Sequence, residues 1–382
     1  MRHHEPLSLW RQWDTVWFLG IAQHGYGWTF DGKPALAFFP LYPLLIHLVG
    51  SLMDPLVAGL LIANCAFLGA LIYLYRLVAL PPDVLGPQAE ICNEDDGGAR
   101  ISPTMAEPRA KVTFGGAPAG GPRSMISNSL ANRSRTAQVA VLILALLPTS
   151  LFTAAPYSES LFLLAACGAL FHARTRQALP AGVWLAAAVL TRSTGLVLIL
   201  PVLLLARPRR LRDLCSLLLP AVVSWSVYLL YLRVHHLPLI LLLHAQRAWH
   251  RQLSLPWVGF VDSFRWVVRH GVAHPAWAVE DVLQLGCALI GLAVTVAAWR
   301  ELSGAYRAYC VVFWLLVLLT PAVLDDAYAP FGSVDRFLIT LVPAVIWLAT
   351  KSSGRGFRPL LALSSLLLAG ATGVQLAGGW VG

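Results

Sequence analysis

Long apolar stretches, separated by short polar ones, make up most of the chain outside residues 81–136. About 20 consecutive apolar residues are enough to cross the hydrocarbon part of a bilayer as a helix. Candidate stretches lie at residues 36–53, 55–75, 136–153, 158–172, 179–206, 214–232, 276–299, 308–324, 336–350 and 359–378. The pattern predicts an all-α polytopic membrane protein with about 9–11 membrane helices or half-helices.

Two of these stretches differ from a simple crossing. Residues 36–53 contain Pro40, Pro43 and His47, a composition that is compatible with a segment that enters the membrane and returns. Residues 179–206 are too long for one crossing and too short for two, and the polar sequence TRSTG lies in their middle. We interpret them as two half-helices that meet at Arg192.

The composition of the chain is also that of a membrane protein, and the distribution of its charges bears on whether it binds nucleic acid. Hydrophobic residues make up 57% of the 382 positions and charged residues only 12%, whereas a soluble domain carries roughly a quarter. The formal net charge is +9, but the basic residues form short clusters between apolar stretches. They are therefore read as signals of membrane topology, and no nucleic-acid partner is expected.

Three regions follow from the pattern. Residues 1–80 contain a first outer loop and the first apolar stretches, and residues 137–382 form a multi-span domain with an outer loop at 235–275. Between them, residues 81–136 are rich in Gly, Pro, Ser and charge. Because such a segment cannot bury enough apolar surface to order itself, we predict a flexible, low-complexity cytosolic insert.

Positive charge predicts the orientation, provided that residues 36–53 do not cross and residues 179–206 enter and leave on one side. One set of loops then holds 17 Lys and Arg and the other set holds 8. The first set is 81–136, 172–177, 207–212, 300–307 and 351–358, and the second is 1–35, 235–275 and 325–336. Because cytosolic loops carry the excess of Lys and Arg, the first set is predicted to be cytosolic.

Five polar clusters are then expected together at the non-cytosolic face. They are Asp14 with His24, Glu159, Arg192, Gln246 with Trp249, and the turn that holds Asp325, Asp326, Asp335 and Arg336. Ionisable groups near membrane depth are costly to bury and are therefore candidates for function.

Each candidate also has a structural interpretation. The stretch from Trp13 to Pro43 is either a catalytic loop with Asp14 as general base or an interfacial aromatic belt, with Asp14 as a helix cap or surface group. Glu159 is either functional or a favourable charge in a first helical turn. Arg192 is either a phosphate ligand or the partner of Glu159 or Asp14.

Later candidates are treated in the same way. Gln246, Trp249 and Trp257 are either a sugar-stacking surface or interfacial anchors, and Asp335 with Arg336 is either functional or a local ion pair. His270 and His274 are four residues apart but have no third ligand, so no metal site is expected. The six cysteines form no CxxC pair, which indicates neither a disulfide framework nor a zinc site.

The sequences QWDTVWFLGIAQHGY, AFFPLYPLL, LPTSLFTAAPYSESLFLL and TRSTG resemble the PIG-V mannosyltransferase family, which performs the second mannose transfer of GPI-anchor synthesis and has bacterial relatives. The likeness covers about residues 10–205, apart from the insert. Two later sequences, HAQRAWHRQLSLPW and VDRFLITLVPAVIWLA, are more similar to the bacterial branch.

This resemblance implies a GT-C fold, an active site on the lumenal or periplasmic side, a polyprenyl-phosphate (dolichyl-phosphate) mannose donor and inversion at the sugar carbon. It implies catalytic roles for Asp14, His24 and Glu159. Substrate-binding roles are expected for Trp13, Tyr26, Tyr157, Arg192, Gln246, Trp249 and Arg336. No cofactor or metal is expected.

The function predicted from the sequence is mannose transfer from that donor to a glycolipid or glycan acceptor. The expected partners are membrane lipid, donor and acceptor, with room for a small membrane subunit. The bacterial plasma membrane is favoured, with the endoplasmic reticulum membrane as the eukaryotic alternative. A transporter or lipid flippase is the rival class. Family members usually carry a membrane helix before the first motif, which here begins by residue 13, so an inactive member serving as a complex subunit also stays open.

Overall fold

The computed structural model of the chain describes residues 8–81, 122–238, 240, 242, 245–323, 329–352 and 357–376. Within these ranges the chain is almost entirely helical, and its one sheet is an antiparallel ribbon of β1 (Thr29–Phe30) and β2 (Lys33–Pro34). The prediction of an all-α polytopic membrane protein is confirmed. Most of the predicted insert, His244, Asp325 and Asp326 lie outside the described residues.

The N-terminal region contains α1 (Asp14–His24), α2 (Leu41–Gly50) and α3 (Pro55–Ala79). A ten-residue helix such as α2 is only about 15 Å long, so α2 by itself is too short to cross a membrane. The side chain of Asp54 accepts hydrogen bonds from the backbone N–H groups of Leu56 and Val57, at 2.8 and 3.3 Å. This N-cap, followed by a proline in the first turn, fixes where α3 begins.

The middle of the chain contains α4 (Pro122–Leu146), α5 (Leu151–Ala154), α6 (Glu159–Arg174), α7 (Ala178–Thr191), α8 (Ile199–Ala206) and α9 (Leu211–Val234). Helix α4 overlaps the C-terminal part of the predicted insert, whose end at residue 136 stays a prediction. It begins 14 residues earlier, at a proline that suits a first helical position, and its apolar part extends the same helix into the core. The chain bends by 69° between α4 and the segment Pro148–Ala154.

The C-terminal part contains α10 (Val258–His270), α11 (Pro275–Ala298), α12 (Gly304–Leu319), α13 (Val334–Leu338), α14 (Val342–Lys351) and α15 (Phe357–Leu376). The apolar stretch at 336–350 was expected to be continuous. It is divided between α13 and α14, with turns at Ile339 and Thr340.

Four helices in the described part are long and apolar enough to cross a membrane: α3, α9, α11 and the Phe357–Val374 part of α15. The bent pair of α4 and Pro148–Ala154 would be a fifth span. Five shorter apolar helices, including α7, α12 and α14, accompany them. This set agrees with the predicted 9–11 helices or half-helices.

Helix α6 lies at the centre of the main core and packs against α3, α7 and α8. Its buried face uses small residues, among them Ala165, Ala166 and Ala169, which let neighbouring backbones approach closely. On α3 the small residues are also buried, while large ones such as Leu61, Leu68 and Ile72 are exposed. An exposed apolar surface of this kind suits contact with lipid.

The two ends of α6 differ in character. Its N-terminal residue is Glu159, and its C-terminal residue Arg174 donates from Nη1 to the Leu77 carbonyl at 2.8 Å. Nearby, Arg176 Nη1 donates to the Ala206 carbonyl at 3.0 Å. The basic residues of the loop after α6 thus lie about 24 Å from Glu159, the length of a 16-residue helix. This separation supports the assignment of Glu159 and the loop at 172–177 to opposite sides of the membrane. Which of the two sides is cytosolic stays a prediction.

Candidate active site

Charged side chains from four separate segments meet in one cluster. Arg336 Nη2 lies 2.6 Å from Asp14 Oδ2 and 2.5 Å from Glu159 Oε1, and Arg336 Nε donates to the same Glu159 oxygen at 2.9 Å. Arg192 Nη1 lies 2.7 Å from Glu159 Oε1. Members of four predicted polar clusters therefore contact one another, and the membrane face on which they meet stays a prediction.

Local backbone structure places each of these groups. Asp14 and Glu159 are the first residues of α1 and α6, where the N-terminal ends of helices favour negative charge. Arg192 has an extended backbone (φ −153°, ψ 153°) between α7 and the 3-10 helix Ser193–Leu198. The predicted interruption of residues 179–206 at Arg192 is confirmed. A Cβ atom on Gly195 would lie 2.4 Å from the Ala188 carbonyl oxygen, so this turn requires glycine.

Glu159 lies beneath the site and outside the wall of the cavity described below. Its side chain is fully buried, and one carboxylate oxygen serves both arginines. Among the described residues, its other oxygen, Oε2, has no hydrogen-bond partner. This position makes Glu159 the counter-ion of two arginines, whereas the family resemblance implies a catalytic role for it.

Two pairings were left open by the sequence and are decided by these contacts. Arg192 does pair internally with Glu159, as one of its two interpretations required. The interpretation of Asp335 and Arg336 as only a local ion pair is wrong, because Arg336 bonds to Asp14 and Glu159, which are 322 and 177 positions away. Sequence proximity favoured the local pair, but the contacts of the Arg336 side chain with Asp14 and Glu159 decide it.

A cavity of about 840 Å³ borders this cluster. Its size lies within the range of small-molecule sites. The charged residues in its wall are Asp14, Asp31, Lys33, Arg192, Arg251, Glu280 and Arg336. Aromatic rings line it as well, including those of Trp13, Trp17, Phe38, Trp249 and Phe337. The cavity thus combines carboxylates, cations and flat apolar surfaces.

An aromatic cluster joins two distant loops into one wall. Trp17 stacks on Phe38 with ring centres 5.2 Å apart, and Trp249 meets Trp17 edge-on at 5.6 Å. Lys33, on β2, holds its Nζ 4.8 Å from the centre of the Trp249 ring. Trp249 lines the cavity, as the sugar-stacking interpretation required, while Trp257 is 58% exposed and lies outside the lining.

Three further predicted substrate-binding residues lie at or beside the cavity. Trp13 and Gln246 are exposed and line it. Tyr157 is buried just behind it, with the Arg336 guanidinium 4.8 Å from its ring centre. Burial, with a smaller contribution from Asp14, raises the pKa of Tyr157 well above its usual value, so its hydroxyl stays protonated.

The structure does not bring His24 or Tyr26 to the site. His24 is exposed at the far end of α1, about 15 Å along the helix from Asp14, and does not line the cavity. The Tyr26 hydroxyl donates to the Phe38 carbonyl at 2.6 Å, and burial raises its pKa. Tyr26 therefore fixes the first loop, and its predicted contact with substrate is not supported by its position.

Sequence reasoning missed two cationic residues in the cavity wall, Lys33 and Arg251. Both lie in loops already recognised as unusual, in the sequences DGKPAL and HAQRAWHRQLSLPW. Aromatic residues mark the stretches that contain both loops, but nothing in either loop sequence distinguishes its cation.

Among the described residues, no group of three or more His, Cys, Asp or Glu side chains is placed to hold a metal ion. His270 and His274 instead pack against tryptophan rings, with centres 5.2 Å from Trp266 and 4.8 Å from Trp277.

The arrangement has a definite chemical capability. Asp14 presents a carboxylate to the cavity and is held by Arg336, so it can accept a proton from a bound hydroxyl. The cationic side chains can stabilise an anionic leaving group, and the aromatic rings can pack against a sugar ring. Group transfer from a phosphate-linked donor to a hydroxyl group would use all three features.

Comparison with known proteins identifies one family. A family model described as mannosyltransferase (PIG-V) matches residues 4–81 and 124–250, more than half of the chain. Its ranges include Asp14, Glu159 and Arg192, while Arg251 and Arg336 lie outside them. No curated protein and no solved structure matches the chain.

Proposed function

Because this chain belongs to the mannosyltransferase (PIG-V) family, we propose that it transfers mannose from polyprenyl-phosphate mannose to a hydroxyl group of a glycolipid or glycan. The proposal includes inversion at the sugar carbon, a GT-C type of fold and an active site on the non-cytosolic face. The observation that carries it is the position of the Asp14 carboxylate in the wall of a cavity that also contains Lys33, Arg192 and Arg251.

The proposed reaction is a single displacement. The acceptor oxygen forms a bond to the anomeric carbon of mannose, and the bond from that carbon to the phosphate oxygen breaks. The bonding electron pair leaves with the polyprenyl phosphate, and the acceptor proton passes to the Asp14 carboxylate. A phosphate leaving group requires stabilisation of negative charge, which the cations in the cavity wall provide.

Arg336 supports this role of Asp14. Its Nη2 lies 2.6 Å from Asp14 Oδ2, and its side chain is only 5% exposed. The same contact fixes the orientation of the carboxylate toward the cavity, which favours a defined acceptor position.

Membrane placement forms part of the proposal. Several long apolar helices make the chain a multi-pass membrane protein. A polyprenyl chain would lie in the bilayer beside the exposed apolar surface, and its phosphate would enter the cavity. We propose the bacterial plasma membrane as the site of action, with the endoplasmic reticulum membrane for a eukaryotic source.

The test is mannose transfer by membranes that contain the chain. Polyprenyl-phosphate mannose labelled in the sugar is supplied, and label in lipid and glycan fractions is measured for the unchanged chain and for Asp14→Asn. We expect the substitution to lower the rate by at least about 10²-fold, because a general base contributes about 10²- to 10⁴-fold.

Asp262→Asn is the matched control. Asp262 pairs with Arg265 at 3.4 Å on the exposed side of α10 and lies outside the cavity lining. It should transfer mannose at the unchanged rate. Equal transfer by Asp14→Asn and the unchanged chain would refute the role of Asp14. Movement of labelled donor across the membrane without transfer would favour a transporter, and no transfer by the unchanged chain would favour an inactive subunit.

A further inference from the structure

Arg251 is a partly buried arginine held by backbone carbonyl groups. Its Nη1 donates to the Thr320 carbonyl at 2.9 Å and its Nη2 to the Gly332 carbonyl at 2.8 Å. Its backbone forms an antiparallel bridge with Ala322. These contacts tie the loop that follows the 3-10 helix Ala245–Trp249 to the segments on both sides of residues 324–328, and they fix the guanidinium in the cavity wall.

Within the described residues, Arg251 has no carboxylate partner, whereas the other two cavity arginines do. Arg192 pairs with Glu159, and Arg336 pairs with both Asp14 and Glu159. Among the described residues, no carboxylate lies within ion-pair distance of Arg251. Carbonyl groups satisfy hydrogen-bond donors but supply no full negative charge, so a counter-ion would stabilise a charge that is partly removed from water.

The surroundings of Arg251 make this imbalance larger. Burial, followed by the positive charges of Arg192 and Arg336, lowers the pKa of Arg251 to about 10. Both effects disfavour its charged form. An anion in the cavity would favour the charged form, because it would supply a counter-charge to Arg251 and to its cationic neighbours.

The geometry also leaves donors for such an anion. A guanidinium has five N–H donors in a planar fork, and two of those of Arg251 are accounted for by the carbonyl contacts. The Arg251 and Arg192 guanidinium carbons lie 5.6 and 5.5 Å from the centre of the Phe337 ring, and all three residues line the cavity. Two guanidinium groups therefore border the same part of the cavity, and arginine forks match the oxygen geometry of phosphate.

We propose that Arg251 is the principal ligand of the donor phosphate, with Arg192 as its second ligand. The identity of the donor rests on the proposed function, while the assignment of an anion site to Arg251 rests on the contacts above. From the sequence, Arg192 is either a phosphate ligand or an internal ion-pair partner, and Glu159 does provide it with a counter-ion.

The experiment measures binding of polyprenyl phosphate, the product without its sugar, to the purified full chain in detergent. Polyprenol, which has the same chain without the phosphate, is measured in parallel as the reference ligand. We expect Arg251→Gln to weaken binding of polyprenyl phosphate by at least 10-fold and to leave polyprenol binding unchanged. Arg192→Gln should weaken phosphate binding less than Arg251→Gln does.

Arg247→Gln is the matched control, because Arg247 belongs to the same loop, is exposed and does not line the cavity. It should bind both ligands as the unchanged chain does. If Arg251→Gln misfolds and binds neither polyprenyl phosphate nor polyprenol, Arg251→Lys is measured in its place. Lysine keeps the positive charge but lacks the planar fork of donors. Weaker binding of the phosphate alone by Arg251→Lys supports the proposal, and unchanged phosphate binding by either folded variant refutes it.

The two proposals can fail separately. Loss of phosphate binding in Arg251→Gln, combined with no mannose transfer by the unchanged chain, would support the anion site and refute the proposed function. Normal phosphate binding in Arg251→Gln, combined with loss of transfer in Asp14→Asn, would refute the anion site and support the proposed function. Asp14→Asn itself should still bind polyprenyl phosphate, because Asp14 is proposed to act on the acceptor.

Discussion

A single carboxylate oxygen, Glu159 Oε1, holds two arginines that come from different parts of the chain. One of them, Arg336, extends from Glu159 to Asp14, so the position of the proposed base depends on a buried residue that does not line the cavity. Glu159 is therefore a positioning residue, and substitutions there should affect stability and transfer together.

We predict that Glu159→Gln destabilises the protein by roughly 3–5 kcal/mol, the range observed when one partner of a buried ion pair is removed. The neutral amide leaves Arg192 without its carboxylate partner, and Arg336 keeps only Asp14. Thermal unfolding in detergent measures the effect.

Glu301→Gln is the control for that measurement, since Glu301 forms an exposed pair with Lys351 at 2.7 Å. Exposed pairs contribute only about 0–1 kcal/mol. If Glu159→Gln unfolds at the same temperature as Glu301→Gln, the buried carboxylate does not stabilise the cluster.

Single residues also show what the sequence could predict about the site. Asp14 and Arg192 were recognisable because a charge within apolar surroundings stands out in the sequence. Arg251 was not, because its neighbours supply hydrogen bonds only through backbone carbonyls, which no residue type reveals. His24 was overestimated, since its distance from Asp14 depends on α1 continuing as one helix over 11 residues.

At the scale of elements, the interruption between α7 and α8 is the feature on which the site depends. The backbone after Arg192 folds back so closely that Gly195 contacts the last turns of α7. The close contact between Gly195 and α7 sets the direction of the chain after Arg192, and it therefore also sets the position of the Arg192 side chain.

We predict that Gly195→Ala destabilises the protein by about 1–3 kcal/mol, the usual effect of overpacking, because the new Cβ would lie 2.4 Å from the Ala188 carbonyl oxygen. The shift should also displace Arg192 and slow mannose transfer. Unfolding temperature and transfer rate are measured on the same preparation.

Gly286→Ala on α11 is the comparison, since nothing lies within 4 Å of its added Cβ. Replacing a helical glycine by alanine at an open position stabilises by roughly 0.5–1 kcal/mol. Equal effects of the two substitutions would show that the turn at Gly195 tolerates a side chain.

Some boundaries between helices could be predicted from the sequence and others could not. The interruption at Arg192 was visible because polar residues in TRSTG separate two apolar runs. The division of residues 336–350 into α13 and α14 was not visible, because the turn that separates them includes the apolar residues Ile339 and Leu341. Composition does not predict where α4 begins, because a helix can extend from an apolar span into polar sequence.

At the scale of the whole molecule, the predicted orientation in the membrane determines the side on which the cavity lies. The charge count places the loop at 207–212 in the cytosol and the loop at 235–275 on the other side. Both loops contain exposed residues, including Arg209 and Ala273, that can be replaced by cysteine.

We predict opposite labelling of these two positions by a membrane-impermeant maleimide in a chain from which the native cysteines have been removed. Ala273→Cys should react in intact bacterial spheroplasts, and Arg209→Cys should react only after the membrane is opened. The reverse pattern would place the cavity on the cytosolic side and contradict the proposed orientation.

The contact between Asp14 and Arg336 also has a consequence for the order of events during synthesis. The two residues are 322 positions apart, and ribosomes add about 5–20 residues per second. Asp14 is therefore made on the order of 15–65 s before its partner exists. Throughout that interval the first loop has no Arg336 to hold its carboxylate, so the charged cluster can be completed only near the end of translation.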